Sequence, residues 1–253
     1  MTQGGGARKK RHVGRWIASV AVALVVACIV GFAVYFADYY HAASGNDAYI
    51  ESSEAVPVLQ ESSFIAFGEE SSKTGFIFYP GAKVESAAYA PLMADIADQG
   101  IFSVAVQMPF NFAFFDTDAA ARVMAAYPSI EHWFIGGHSL GGVVASNWAA
   151  KHMDRVDGVI FLASYPSDDL SGTDLRALSL YGSEDRVLNL ESYEAAASKW
   201  PPSFTEVVIQ GANHGQFGNY GAQAGDGTAA ISAPEQWEET ARAIVRFIDE
   251  GSA

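Results

Sequence analysis

Two patterns of apolar positions run along the chain. The first is unbroken: from Trp16 to Ala37, 22 residues pass without a charge. As a helix, at about 1.5 Å per residue, that run spans roughly 33 Å, close to the hydrocarbon thickness of a bilayer. The second pattern alternates. Short apolar runs read as strands: "FIAFG" (64–68), "GFIFYPG" (75–81), "IFSVAVQMP" (101–109), "HWFIGG" (132–137), "VDGVIFLASYP" (156–166), "LRALSLYG" (175–182) and "FTEVVIQG" (204–211). Between and after them, residues 85–100, 116–128, 140–153, 189–200 and 233–250 space their apolar positions as helices do. The helix at 116–128 has Asp or Thr available as its cap. Strands that are apolar throughout, separated by helices, imply a mostly parallel sheet covered on both faces. The class is α/β, a three-layer α/β/α sandwich preceded by one transmembrane helix. Ligands of such sheets bind beyond the carboxyl ends of the strands, so the turns after each strand are the places to look for chemistry.

Charge sharpens the division. Arg8, Lys9, Lys10, Arg11 and Arg15 precede the apolar run, and the next basic residue after it is Lys73. That asymmetry keeps a 1–15 tail in the cytoplasm, runs 16–37 through the membrane and exports the rest. A cleaved signal peptide is the close competitor, but its apolar region is normally about 7–15 residues, and this one is longer and ends in Tyr35, Phe36, Tyr39 and Tyr40. "VVAC" (25–28) looks like a lipidation box, yet Ile29 to Phe36 stay apolar after the cysteine. Residues 1–7 are Gly-rich and read as disordered, and residues 38–54, small, polar and acidic, read as a stalk to a domain at 55–250. The single cysteine, Cys28, lies in the apolar run, so the exported domain holds itself together by its core alone. Setting aside the five basic residues of the tail leaves 10 basic against 29 acidic residues. Such a surface repels nucleic acid and anionic lipid, and neither is expected as a partner. The sequence assigns no protein partner.

The chemistry centres on "WFIGGHSLGGVVASNWA" (133–149), where Ser139 stands between glycines in Gly137-His138-Ser139-Leu140-Gly141. An apolar strand runs directly into it and an apolar helix directly out. Such a turn strains the serine backbone, and side chains at the flanking glycines would collide with the neighbouring strand and helix. After the strand 175–182 come Glu184 and Asp185, and after the strand 204–211 comes His214. His138 reads as structural; His132 and His152 read as surface residues or caps.

This strand–turn–helix, followed in order by an acid and a histidine at strand ends, resembles the α/β-hydrolase superfamily. The resemblance covers about residues 55–250. It implies Ser139 as nucleophile, His214 as base and Asp185, ahead of Glu184, as the acid: family members commonly carry Gly-Ser-x-Asp at this turn, matching Gly182-Ser183-Glu184-Asp185. It implies an oxyanion hole from the N–H groups of Leu140 and Ala82. Relatives often have His-Gly where this chain has Pro80-Gly81, which leaves Ala82 and Lys83 as alternatives for the second donor. Only about ten residues join the strands at 156–163 and 175–182, too few for a large lid. The chain therefore looks like the compact, lid-less members, such as dienelactone hydrolases and small carboxylesterases. The four phenylalanines of "MPFNFAFFD" (108–116), with Phe110 and Phe112 the candidate substrate contacts, wall an acyl pocket or anchor the next helix. Lys83 and Arg186 are either surface charge or attract a substrate carboxylate. Phe217 lies in a long Gly-rich stretch (214–232) expected to fold over the site. Asn219 and Asp226 offer oxygen, but no ligand spacing accompanies them, so no metal is expected. No dinucleotide fingerprint is present, so no cofactor is expected either. The expected activity is hydrolysis of a small acyl ester or thioester. Acyl transfer on the same residues, and a silent fold that only binds, are the alternatives.

Overall fold

A computed structural model describes residues 5–250. The chain divides after Asp38 into two compact units. The first is a single helix, α1 (Gly5–Ala37), in which Ser19–Ala37 is long and apolar enough to cross a membrane. Of the Gly-rich start expected to lack order, residues 1–4 lie outside the described residues and Gly5, Gly6 and Ala7 are helical.

The second unit holds an eight-stranded sheet: β1 (Val58–Gln60), β2 (Phe64–Phe67), β3 (Thr74–Tyr79), β4 (Phe102–Val106), β5 (His132–His138), β6 (Gly158–Leu162), β7 (Arg176–Gly182) and β8 (Ser203–Ile209). Their order is β1-β2-β4-β3-β5-β6-β7-β8, antiparallel at β1–β2–β4 and parallel from β4 through β8. The parallel strands β3 to β7 are the apolar runs, and they are apolar because both faces are covered; β8, at the edge, is partly open and carries Thr205 and Glu206. In β3, Phe76, Ile77, Phe78 and Tyr79 are all fully buried, each worth about 1.5–3 kcal/mol against exposure. One face packs under α4 (Ala119–Ala126), α5 (Leu140–Ala149) and α6 (Leu190–Ala195). The other packs under α3 (Ala90–Asp98) and α7 (Ala233–Asp249). A short helix, α2 (Asp47–Ile50), precedes β1.

Three expectations change. Residues 38–54 are not a free stalk, and the unit begins at Tyr39 rather than 55. Tyr40 forms a bridge with Val84, Ala43 N–H donates to Asn219 O (2.8 Å), and Asn46 is buried and donates from Nδ2 to Ala87 O (2.8 Å). Small polar residues look like linker, but here their amides serve as partners for two loops. The helix expected at 85–100 starts with a tight turn at Ser86–Tyr89 before α3. Asp118, a candidate cap for α4, makes no cap bond; its Oδ1 accepts from Trp148 Nε1 instead (2.7 Å). No helix interrupts the connection between β6 and β7, so no lid is built there.

Candidate active site

Ser139 occupies the turn between β5 and α5 with φ 51° and ψ −123°, a conformation that costs a non-glycine residue about 1–3 kcal/mol. The surroundings enforce it. Ser139 N–H donates to Leu162 O (2.8 Å), and Ser164 Oγ donates to Ser139 O (2.7 Å), so the end of β6 grips both backbone groups. The flanking glycines are required by close approach. A Cβ on Gly141 would stand 2.1 Å from Tyr79 O and 2.4 Å from Pro80 O, and one on Gly137 would stand 2.5 Å from Tyr79 O. Only without those side chains can α5 start directly against the turn after β3.

Asp185 and His214 come together from the ends of β7 and β8. His214 Nδ1 lies 2.9 Å from Asp185 Oδ2, both side chains buried. Asp185 Oδ1 accepts the N–H groups of Val187 and Leu188 (2.8 Å each). With one oxygen held by backbone and the other facing Nδ1, the proton of a neutral His214 belongs on Nδ1, leaving Nε2 as a base. Among the described residues, His214 Nε2 is buried without a hydrogen-bond partner. Its ring lies 4.4 Å, centroid to centroid, from that of His138, the residue before Ser139. Glu184 takes no part: Ser183 Oγ donates to it, at 3.3 Å.

The loop carrying His214 is held from two sides. Asn213 N–H donates to Gln236 Oε1 (3.1 Å) and Gln236 Nε2 to Asn213 O (2.8 Å), which ties the loop to α7. Asp226 accepts the N–H groups of Gly215 (2.7 Å), Gly227 (2.8 Å) and Arg186 (3.3 Å). Its carboxylate, which the sequence offers as an oxygen donor for a cation, thus links the Asp185 and His214 loops. Asn219 is likewise engaged, its Nδ2 donating to Asn46.

Tyr89 and the role of His138 are what sequence reasoning misses. Tyr89 reads as one more apolar helix position, and only the fold brings its hydroxyl under the turn after β3. There it accepts from Gly81 N–H (3.1 Å) and stands 2.8 Å from His138 Nδ1. Gly81 occupies a lone pair of the hydroxyl, which leaves the hydroxyl proton for Nδ1. Burial, and then the neighbouring His214, push the His138 pKa well below its usual value, so this ring stays neutral. His132 is exposed and paired with Asp157, and His152 stacks on Trp148, both away from Ser139.

The donors after β3 sort themselves. Gly81 N–H is committed to Tyr89, and Lys83 N–H donates to Asn111 O (2.8 Å). Ala82 stands between them. Leu140 opens α5, where the first N–H groups have no intrahelical acceptor. Of the candidate substrate contacts, Phe110 is 53% exposed beside this turn, Phe112 is half-buried and Arg186 is exposed next to Asp185. Phe217 is a correction. It is fully buried with its ring 5.6 Å from that of His138, because the stretch after His214 turns inward; it packs the core beneath the site and lines no open pocket. A cavity of about 600 Å³ lies at the opposite, amino edge of the strands, lined by His132, Asp157, Asp174 and Arg176 among others.

The alpha/beta hydrolase family model matches residues 75–238. A pimeloyl-[acyl-carrier protein] methyl ester esterase of Chromobacterium violaceum is 40% identical over 52 residues, 21% of this chain and 20% of that protein. The chain thus matches about a fifth of the length of this curated relative. Naproxen esterase of Bacillus subtilis superposes with a TM-score of 0.55 at 14% identity, over 80% of this chain and 94% of its own. A membrane phospholipase A described as a bacterial virulence factor gives 0.55 at 15% identity, over 94% and 98%. Identities this low carry the fold and leave the substrate open.

Proposed function

Because the chain belongs to the alpha/beta hydrolase family, we propose that it is a membrane-anchored serine hydrolase that cleaves carboxylic esters or thioesters through an acyl-enzyme on Ser139. The observation that carries this reading is the strained Ser139 turn beside a buried Asp185–His214 pair. Such a serine is a poor nucleophile alone and a good one with a base aligned on it.

Ser139 Oγ attacks the acyl carbon while His214 Nε2 takes its proton, and Asp185 balances the charge that His214 acquires. The carbonyl oxygen becomes an oxyanion held by the N–H groups of Leu140 and Ala82. Ala82 is favoured over Lys83 because Lys83 N–H already serves Asn111. Collapse breaks the bond to the alcohol or thiol, which leaves with the proton from His214. Water then gives a proton to His214 as it attacks the acyl-enzyme; collapse breaks the acyl–Oγ bond, Ser139 Oγ takes that proton from His214, and the acid is released. The basic residues ahead of the apolar segment support an N-terminus in the cytoplasm and the Ser139 unit outside.

Treatment of the full chain with a fluorophosphonate at neutral pH, followed by mass spectrometry, tests the reading. The expected adduct is one per chain, on Ser139, and absent in His214→Ala. Folded protein left unlabelled overturns the hydrolase assignment.

A further inference from the structure

The chain enters the Tyr39–Ala253 unit on the edge that carries Ser139. Tyr40 N–H donates to Lys83 O (2.7 Å), and Tyr40 O accepts from Glu85 N–H (3.0 Å). Ala42 N–H adds a bond to Glu85 Oε2 (2.9 Å). Lys83 N–H in turn donates to Asn111 O, which joins the turn after β3 to the loop after β4. That loop turns three rings to solvent: Phe110 is 53%, Phe114 58% and Phe115 49% exposed. It is not a loose turn. Phe110 and Asn111 both have φ 55°; asparagine tolerates this, but a phenylalanine adopts it only when its surroundings hold it there. Scattered exposed apolar residues are ordinary on a soluble surface, but phenylalanines gathered on one strained loop mark a contact surface.

The residues just before the entry point say what that contact is. Ser19–Ala37 is long and apolar enough to cross a membrane. Three peptide steps separate Ala37 from Tyr40, a reach of roughly 11 Å at full extension. The headgroup region on each side of a hydrocarbon core is itself about 5–8 Å deep. Phenylalanine suits the boundary between headgroups and acyl chains. The 29 acidic residues of the chain, none of them before Asp38, favour zwitterionic over anionic lipid.

We propose that the Ser139 edge works against the bilayer surface, with Phe114 and Phe115 set into the headgroup–acyl boundary, and that its substrate is an acyl ester resident in the membrane. The substrate half rests on the serine-hydrolase reading above; the docking half rests only on the membrane anchor in that reading.

The test uses the full chain with Cys28→Ser, carrying either Phe114→Cys or Asp174→Cys. Asp174 is exposed and lies just before β7, at the opposite edge. Each cysteine is labelled with an environment-sensitive fluorophore. The protein is then reconstituted in phosphatidylcholine vesicles containing a lipid spin-labelled near its headgroup. Docking predicts quenching at 114 roughly threefold stronger than at 174. Equal quenching, stronger quenching at 174, or none at either position (the pattern if a second copy of the chain covers the rings) overturns it. The same vesicles loaded with a long-chain fluorogenic ester test the substrate. Phe114→Ser/Phe115→Ser is expected to lower turnover of that ester about tenfold, with less than about a twofold change for a dissolved short-chain ester. A parallel change in both, or turnover of the dissolved ester alone by the unaltered chain, overturns the substrate claim. Fluorophosphonate labelling in the same samples separates the two failures. An unlabelled Ser139 removes the hydrolase reading and the substrate claim with it, while quenching still decides the docking.

Discussion

Asp185 shows how much a single carboxylate is asked to do: Oδ1 holds two backbone N–H groups and Oδ2 faces His214 Nδ1. Asp185→Asn puts an NH2 group in place of one of these acceptors. If it faces His214, Nδ1 must become an acceptor and Nε2 carries the proton, so the base is lost. The expected result is a fall in kcat of roughly 10³–10⁴ in an ester assay, with the fold retained by circular dichroism. His138 acts differently. Its pKa lies below the usual 6.5 because burial and His214 disfavour its charge. Below about pH 6.5 the unfolded chain takes up a proton there that the folded chain refuses, so stability present above that pH is lost as pH falls toward the folded-state value. Chemical denaturation from pH 8 to pH 5 should show this decline, and His138→Gln should flatten it whatever its effect on absolute stability. An unchanged pH slope in that variant would rule His138 out as the source.

At the scale of elements, the site depends on how tightly α5 is seated. The turn after β3 supplies Tyr79 O and Pro80 O at the very place where a Cβ on Gly141 would stand. Gly141→Ala therefore forces α5 away from that turn. Overpacking of this kind costs about 1–3 kcal/mol, and it also separates Leu140 from Ala82. Fluorophosphonate labelling should slow by more than the stability loss explains, since most molecules stay folded. The strand-turn-helix reading of 132–149 was legible because an apolar run, two glycines and a second apolar run leave few other geometries. The capping of α4 was not: Asp118 looks identical in sequence whether it caps a helix or accepts from Trp148, and only packing decides.

For the whole molecule, the boundary between the apolar helix and the hydrolase-fold unit is the informative feature. A chain beginning at Tyr39 keeps the bonds of Tyr40, Ala42, Ala43 and Asn46, whereas one beginning at Ser53 loses them all. These residues make seven tertiary hydrogen bonds, so at about 0.5–1 kcal/mol net per bond the shorter form should be less stable by about 4–7 kcal/mol. Urea titration of the two forms measures this directly. Equal midpoints would return residues 39–52 to the role of a linker. The segment bonds to Lys83 and Glu85 on one side and to Asn219 on the other, so it braces both the turn after β3 and the loop that follows His214.

What the sequence determined by itself was whatever depends on period and order: an apolar run of membrane length, a parallel sheet read from largely apolar strands, and Ser139, Asp185 and His214 each just past a strand. Local chemistry writes these directly, because a strand buried on both faces cannot carry charge and a serine in a strained turn needs its glycines. What the tertiary structure decided was which groups meet. Tyr89 reached His138 and Gly81, Phe217 went into the core, Asp226 joined two loops and the supposed stalk became part of the domain. The deciding partners, His138 for Tyr89 and Arg186 for Asp226, lie far along the chain, and neither residue bears a mark of the other until the sheet brings their loops to one edge.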